Sequence, residues 1–316
     1  MGPARAEAGP AVSAWPIDPA AHPGLRTLLI GLGAQKTGSS WLFRMLDRHP
    51  DCRFGPVKEV RFWDWRVDPR TDRLAARQTR AGLAETARAR RDLARPWRIP
   101  GAIRRERDLR AYADLLARAG APDADAAYGA FVMRGHRGEA VVCDMTPNYS
   151  LLEAEDFARM ARLAPDVRFL FVMRDPVARL WSGTMHSHRG AIEDGRMDDE
   201  ALLEAFRESA RDPAHVNRRR GDYRRTIEAL EAAVPRGRIL YLFYETLFEA
   251  PAMDALARFL GVRPIAADPQ LRVNARRREN LAPAAADLRA ARRALAPVYD
   301  YVRERFGTAV PEAWAT

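Results

Sequence analysis

The stretch Leu28-Leu-Ile-Gly-Leu-Gly33-Ala-Gln-Lys36-Thr37-Gly38-Ser39-Ser40-Trp41-Leu-Phe-Arg-Met-Leu46 decides the fold. Its first six residues form a short apolar run bounded by glycine, the pattern of a buried strand. From Trp41 the apolar residues recur at helical spacing, and the pattern ends near His49-Pro50. Strand, glycine-bearing loop and helix in this order open a phosphate-binding α/β domain. The first amide groups of a helix have no partner within it and are turned towards the loop.

Further along, strands are predicted at Ala140–Cys143, Val167–Met173 and Arg238–Phe243. Each is a continuous apolar run, as expected of parallel strands covered on both faces. Helical patterns fill the gaps: Glu153–Leu163, Pro176–Ser187, Tyr223–Ala233, Ala252–Leu260 and one long helix Pro283–Arg305. The expected fold is a three-layer α/β/α architecture with a mainly parallel sheet. Residues 1–24, rich in Ala and Pro, read as a flexible arm, and residues 25–316 as a single domain. An Arg- and Ala-rich helical insertion occupies about 69–128, where strand signals are lacking.

The 316 residues are 47% hydrophobic and 30% charged, the balance of a soluble globular protein. No apolar run approaches the roughly 20 residues that span a bilayer. The start lacks the basic flank and apolar centre of a signal peptide. Cys52 and Cys143 make no disulfide framework, and no Cys/His cluster has zinc spacing. A cytoplasmic location and no metal site are expected. The formal charge of +10 suits an anionic partner, although much of it is solvated helix surface.

Of the 52 Lys and Arg residues only Lys36 and Lys58 are lysine. This arginine bias is that of a high-GC bacterial genome. The exchange is cheap on a solvated surface but not where a compact ammonium must approach one oxygen. Both lysines therefore mark places to look for chemistry. Gly33-Ala-Gln-Lys-Thr-Gly38-Ser39-Ser40 shares both glycines and the final hydroxyl with the nucleotide-binding pattern Gly-x-x-x-x-Gly-Lys-Ser/Thr. However, Ser39 takes the lysine's slot, and Lys36 comes three residues earlier. The loop is then a cradle for one compact phosphate.

Gln35-Lys-Thr-Gly-Ser-Ser-Trp-Leu42 resembles the 5′-phosphosulfate loop of the sulfotransferases that use 3′-phosphoadenosine 5′-phosphosulfate (PAPS), with Gln35 in place of the usual proline. The second family signature is a strand, then Arg, then Ser eight residues on. Phe169-Leu-Phe-Val-Met-Arg174-Asp-Pro-Val-Ala-Arg-Leu-Trp-Ser182 resembles it. The resemblance implies a donor site formed by Lys36, Thr37, Gly38, Ser39, Ser40 and Trp41 around the 5′-phosphosulfate, with Arg174 and Ser182 on the 3′-phosphate. Arg276 and Arg277, in Asn274-Ala-Arg-Arg-Arg278, lie where the family often has a basic loop over the donor. A solvated arginine cluster is the equal alternative.

Lys58-Glu59-Val-Arg61-Phe-Trp-Asp64 resembles the Lys-Glu-x-x-Phe-Phe segment of the carbohydrate-type branch, where the glutamate is the general base. Glu59 takes that place, and Arg61 stands where some members have histidine. Arginine cannot deprotonate at working pH. Asp144-Met-Thr-Pro-Asn-Tyr149 resembles the Glu-Lys-Thr-Pro-x-Tyr segment beside the acceptor, with Met145 in place of the lysine. Lys58, Arg61, Asn148 and Tyr149 are the expected acceptor contacts, and packing at a strand end is the alternative for the last two. His186 and His188 are two apart at a helix end and face different ways, so they do not make a metal pair; His188 is the reserve base should Glu59 not serve. Trp63, Trp65 and Trp97 suit a sugar-stacking pocket or the core.

The implied reaction is one in-line displacement without a metal, leaving adenosine 3′,5′-bisphosphate (PAP). The acceptor is a small molecule, glycan or lipid, and no specific nucleic acid is implied. The rival readings are a P-loop kinase, with Asp144 supporting magnesium after its strand, and a non-catalytic polyanion-binding protein.

Overall fold

The computed structural model describes residues 15–67, 70–91, 96–268, 270–271 and 281–315. Its strands are β1 (Thr27–Gly33), β2 (Cys52–Phe54), β3 (Val141–Met145), β4 (Val167–Met173) and β5 (Ile239–Phe243). They form one parallel sheet in the order β2-β3-β1-β4-β5. The helices are α1 (Ser39–Asp47), α2 (Arg70–Arg91), α3 (Ile99–Ala117), α4 (Ala124–Val132) and α5 (Ala154–Met160). They continue with α6 (Pro176–Ser187), α7 (Arg189–Glu193), α8 (Asp199–Arg211), α9 (Val216–Arg219) and α10 (Tyr223–Ala233). The last are α11 (Ala250–Leu260), α12 (Ala285–Ala294) and α13 (Ala296–Phe306).

Period-two alternation explains why the strands are apolar throughout. Leu28, Ile30 and Leu32 of β1 enter one core with Phe169 and Phe171 of β4, covered by α6, α8, α10 and α13. Leu29 points the other way with Leu170 and Val172, against Trp41, Leu42 and Met45 of α1 and Leu256 of α11. Pairing with β3 and β4 on its two edges satisfies the β1 ladder, and burying both faces is worth about 1.5–3 kcal/mol per large apolar side chain. Between β1's neighbours β3 and β4 the connections diverge, which leaves a crevice at the carboxyl ends of the strands.

Two sequence expectations change. The three-residue edge strand β2 was not expected, because so short a run carries no period. The single helix over 283–305 is two, α12 and α13, broken at Leu295. Pro297 is the cause: it has no amide to donate to Arg293 O, and its ring clashes with that carbonyl, so the helix cannot run on from α12. In the Arg-rich segment α2 and α3 pack as an antiparallel hairpin. Arg90 Nη1 meets Glu106 at 2.6 Å, Arg105 meets Glu85 at 3.2 Å, and Gly82 backs onto Leu109.

Ile30 is fully buried in the central strand. Ile30→Ala is expected to lower the unfolding free energy by about 2–5 kcal/mol, read as a shift in the denaturant midpoint at unchanged slope.

Candidate active site

β1 ends at Gly33 (φ 105°), and α1 begins after Gly38 (φ 87°), a left-handed N-cap with no side-chain hydrogen bond. Lys36 between them also has positive φ, 74°. Alternating backbone hand turns successive amides to one side, forming an anion nest at a helix N-terminus. Among the described residues the only other non-glycine with positive φ is Arg61, at 56°. Such geometry costs on the order of 1 kcal/mol or more and concentrates at functional sites. Both strained residues belong to this site.

Within the loop Thr37 is buried and donates its hydroxyl to Ala34 O at 2.6 Å, so it offers a ligand its amide rather than its hydroxyl. Ser39 and Ser40 are half-buried on the first turn of α1. Lys58 Nζ donates to Ser40 Oγ at 2.7 Å, which places the second lysine on the loop that holds the first. Lys58, expected on the acceptor side, lies between the cradle and Glu59. Trp41 is buried against Phe248, and its Nε1 donates to Asp268 O, so it supports the cradle from behind. Arg276 and Arg277 lie outside the described residues.

On the other side of β1, Arg174 follows β4. The Tyr223 hydroxyl donates to its carbonyl at 2.7 Å, and Asp175 caps α6 by accepting from Ala178 N at 2.8 Å. The guanidinium lies over the Tyr244 ring (4.4 Å) and donates to Lys36 O at 3.1 Å. Arg174 is thus tied to the loop that precedes α1. Ser182 is half-buried two turns into α6, and His186 follows one turn later on the same face. His186 is exposed to solvent, yet the protein packed around its ring and the Lys36 charge push it down to about 4, against the opposite pull of Glu59. It therefore shares a field with both residues. His188 instead directs Nδ1 at Thr184 O, 3.0 Å away.

Glu59 faces the cradle between two cations. Arg61 donates to Oε2 from Nε (3.2 Å) and Nη2 (2.7 Å), while Lys58 Nζ stands 3.5 Å from Oε1. The segment is fixed from below by Asp144 at the end of β3. Asp144 accepts from Thr146 Oγ1 (2.8 Å) and Val60 N (3.4 Å) on one oxygen, and from Tyr128 and Tyr149 hydroxyls (2.9 Å each) on the other. Thr146 Oγ1 in turn accepts from Arg61 N at 3.3 Å. Tyr149 is fully buried and its hydroxyl is engaged with Asp144, so it braces the site. Because four donors occupy the Asp144 oxygens, the magnesium-supporting aspartate of the kinase reading has no oxygen to offer. Asn148, half-buried, accepts from Arg220 Nε at 3.0 Å and lies beside Asp64, whose charged form it favours.

Sequence reasoning missed the Asp64–Asn148–Arg220 chain, the bracing role of Asp144 and the placement of His186. Asp64 was visible within the Lys58–Asp64 motif. Arg220 carried no signal, lying in a run of three arginines. The tryptophans do not form one pocket: Trp63 is in the core, edge-on to Phe62, and Trp97 is exposed at the outer end of the α2–α3 hairpin.

Burial raises Asp64 from 3.8 to about 7, with the Arg61 charge opposing, and raises Asp144 to about 6 against its hydrogen bonds. Asp64 Oδ1 is buried without a hydrogen-bond partner.

A parallel sheet with an anion nest at its switch point defines an α/β protein built to hold a compact anionic group. Residues 29–265 match the model of the sulfotransferase family. The chain belongs to that family, whose chemistry is sulfuryl transfer. It is similar in fold to a sulfotransferase from Alicyclobacillus acidocaldarius, at 21% identity and a TM-score of 0.55, over 92% of this chain and 99% of that one. A weaker likeness, 14% identity and a TM-score of 0.42, is to the sulfotransferase domain from the curacin biosynthetic pathway, over 76% and 75% of the two chains. Another is to a sulfotransferase from Mycobacterium avium, at 15% identity and 0.41, over 91% and 78%. No curated protein matches.

The raised Asp64 gives a signed expectation. At low pH both folded and unfolded states keep the proton. As pH climbs from 3.8 to about 7 the unfolded chain releases it first, so this group lowers stability across that window. Asp64→Asn is expected to flatten this part of the stability–pH curve, measured by denaturant unfolding at a series of pH values.

Proposed function

We propose that this chain transfers a sulfuryl group from PAPS to a hydroxyl or amine of a small-molecule, lipid or carbohydrate acceptor. One observation carries the reading. Both lysines of an otherwise arginine-only chain meet at the N-terminus of α1, where Lys58 holds Ser40 and the Lys36 carbonyl is tied to Arg174. The residues fit the donor. The nest and the α1 amides suit the 5′-phosphosulfate, while Arg174 and Ser182, at the head of the next strand–helix unit, suit the 3′-phosphate.

In the reaction the acceptor oxygen or nitrogen forms a bond to sulfur as the sulfur–oxygen bond to the 5′-phosphate breaks. The acceptor proton passes to Glu59. Arg61 holds Glu59 Oε2 with two hydrogen bonds, and Oε1, which Lys58 Nζ approaches only to 3.5 Å, is the oxygen that faces the acceptor in this reading. Lys36 and the loop amides meet the charge developing on the leaving oxygen, and PAP departs. This charge is met by fixed dipoles in a partly dry cleft, where they act more strongly than in water.

Calorimetric titration with PAP, adenosine 5′-phosphate and ATP–Mg²⁺ tests the donor assignment. PAP is expected to bind tightest, and Lys36→Ala to weaken it. No preference for the 3′-phosphate would overturn the PAPS reading, and preference for ATP–Mg²⁺ would restore the kinase. For the base, Glu59→Gln is expected to lower turnover about 10²- to 10⁴-fold while PAP binding is retained. Unchanged turnover with labelled PAPS and a responsive acceptor would move that role to another group, His186 first.

A further inference from the structure

Among the described residues four large hydrophobic side chains are exposed: Trp15 (37%), Trp97 (72%), Ile103 (49%) and Leu288 (38%). Two of the four share the outer end of the α2–α3 hairpin. Trp97 lies in the turn Pro96–Arg98 directly before α3, and Ile103 follows on its first turns. The same end is strongly basic. Among the described residues from 85 to 107 seven arginines stand against two acids, Glu85 and Glu106. Arg88, Arg91, Arg98, Arg104 and Arg107 are exposed there. Folding gains nothing from an exposed indole among cations, and the core lies at the other end of α3, where Tyr112 and Leu115 are buried.

We propose that the outer end of this hairpin docks on an anionic bilayer surface. Indole rings favour the lipid–water boundary, where the ring is partly dehydrated and its N–H stays wet. Exposed arginines beside it are drawn to anionic headgroups, and their long stems allow the charge to remain in the headgroup layer while apolar neighbours dip beneath. The protruding end of a hairpin suits a plane. A single-stranded nucleic acid is instead followed along a groove with several stacking rings. Trp97 is the one aromatic residue between 85 and 107, and Ile103 has no face on which a base can stack. From Ile99 to Tyr112, beside the Arg61 segment, α3 rises about 20 Å, so docking leaves the catalytic crevice clear of the surface. No described helix is long and apolar enough to cross a membrane, which makes this a peripheral contact. It does not depend on the sulfuryl-transfer reading.

The test is co-sedimentation of the full chain with phosphatidylcholine vesicles, with and without phosphatidylglycerol, at low and high salt. The wild type is expected to sediment with anionic vesicles only and to be released by salt. Tryptophan emission should shift to the blue on binding, and Trp97→Ala should lose both the shift and most of the binding. Reversing Arg98 and Arg104 to Glu should weaken binding by about fivefold or more for each residue. All three side chains are exposed, and unchanged thermal melting will show that the variants fold. Failure to sediment with anionic vesicles overturns the proposal, as does binding indifferent to Trp97→Ala. Equal or tighter binding to single-stranded RNA, untouched by Trp97→Ala, also overturns it and identifies a purely electrostatic surface.

Discussion

The Asp144 carboxylate, buried at the carboxyl end of β3, is the point through which the rest of the site is held. Removing an ionised carboxylate from water costs several kcal/mol unless its lone pairs are met, and here four donors meet them. Those donors come from different parts of the chain: Tyr128 on α4, Tyr149 and Thr146 after β3, and the Val60 amide in the Glu59 segment. A group that must be satisfied therefore forces three segments together. The Glu59–Arg61 turn, with its strained Arg61 backbone, is fixed over the sheet as a result.

The second constraint is on the other side of β1. Gly38 opens α1 in a left-handed conformation with no side-chain cap, so no N-cap side chain covers the first turn of the helix. Lys58 crosses from the Glu59 segment to Ser40, and Arg174 crosses from β4 to the Lys36 carbonyl. The candidate donor cradle and the candidate base are thereby joined by direct hydrogen bonds, with Lys58 touching both. A reaction that separates charge between a leaving oxygen and an attacking one is well served by fixed cations on one side and an oriented carboxylate on the other.

Burial raises Asp64 and Asp144, which lie directly beneath this arrangement. The site thus costs stability where it is most highly organised, and the two-faced hydrophobic core around β1 and β4 offsets that cost. Arg61 illustrates the balance: its charge lowers Asp64 and holds Glu59 while its own backbone is strained.

Much of this was legible in the sequence by itself. The apolar runs of β1 and β4 announced strands buried on both faces. The helices Pro176–Ser187 and Tyr223–Ala233 were readable from period and from the proline that opens the first. The Lys36 loop and the Glu59 segment were visible because each is a local pattern of residue types with a local chemical reason. Short β2 and the break at Leu295 were not read: the first has too few residues for a period, and at the second the apolar spacing runs on past Pro297. What only the tertiary structure decided was which distant groups meet. Lys58 turned to the Lys36 loop, Tyr149 was withdrawn into a buried network, and Asn148 and Arg220 were brought close to Asp64. Such choices depend on satisfying buried polar groups in three dimensions, and sequence spacing carries no record of that requirement.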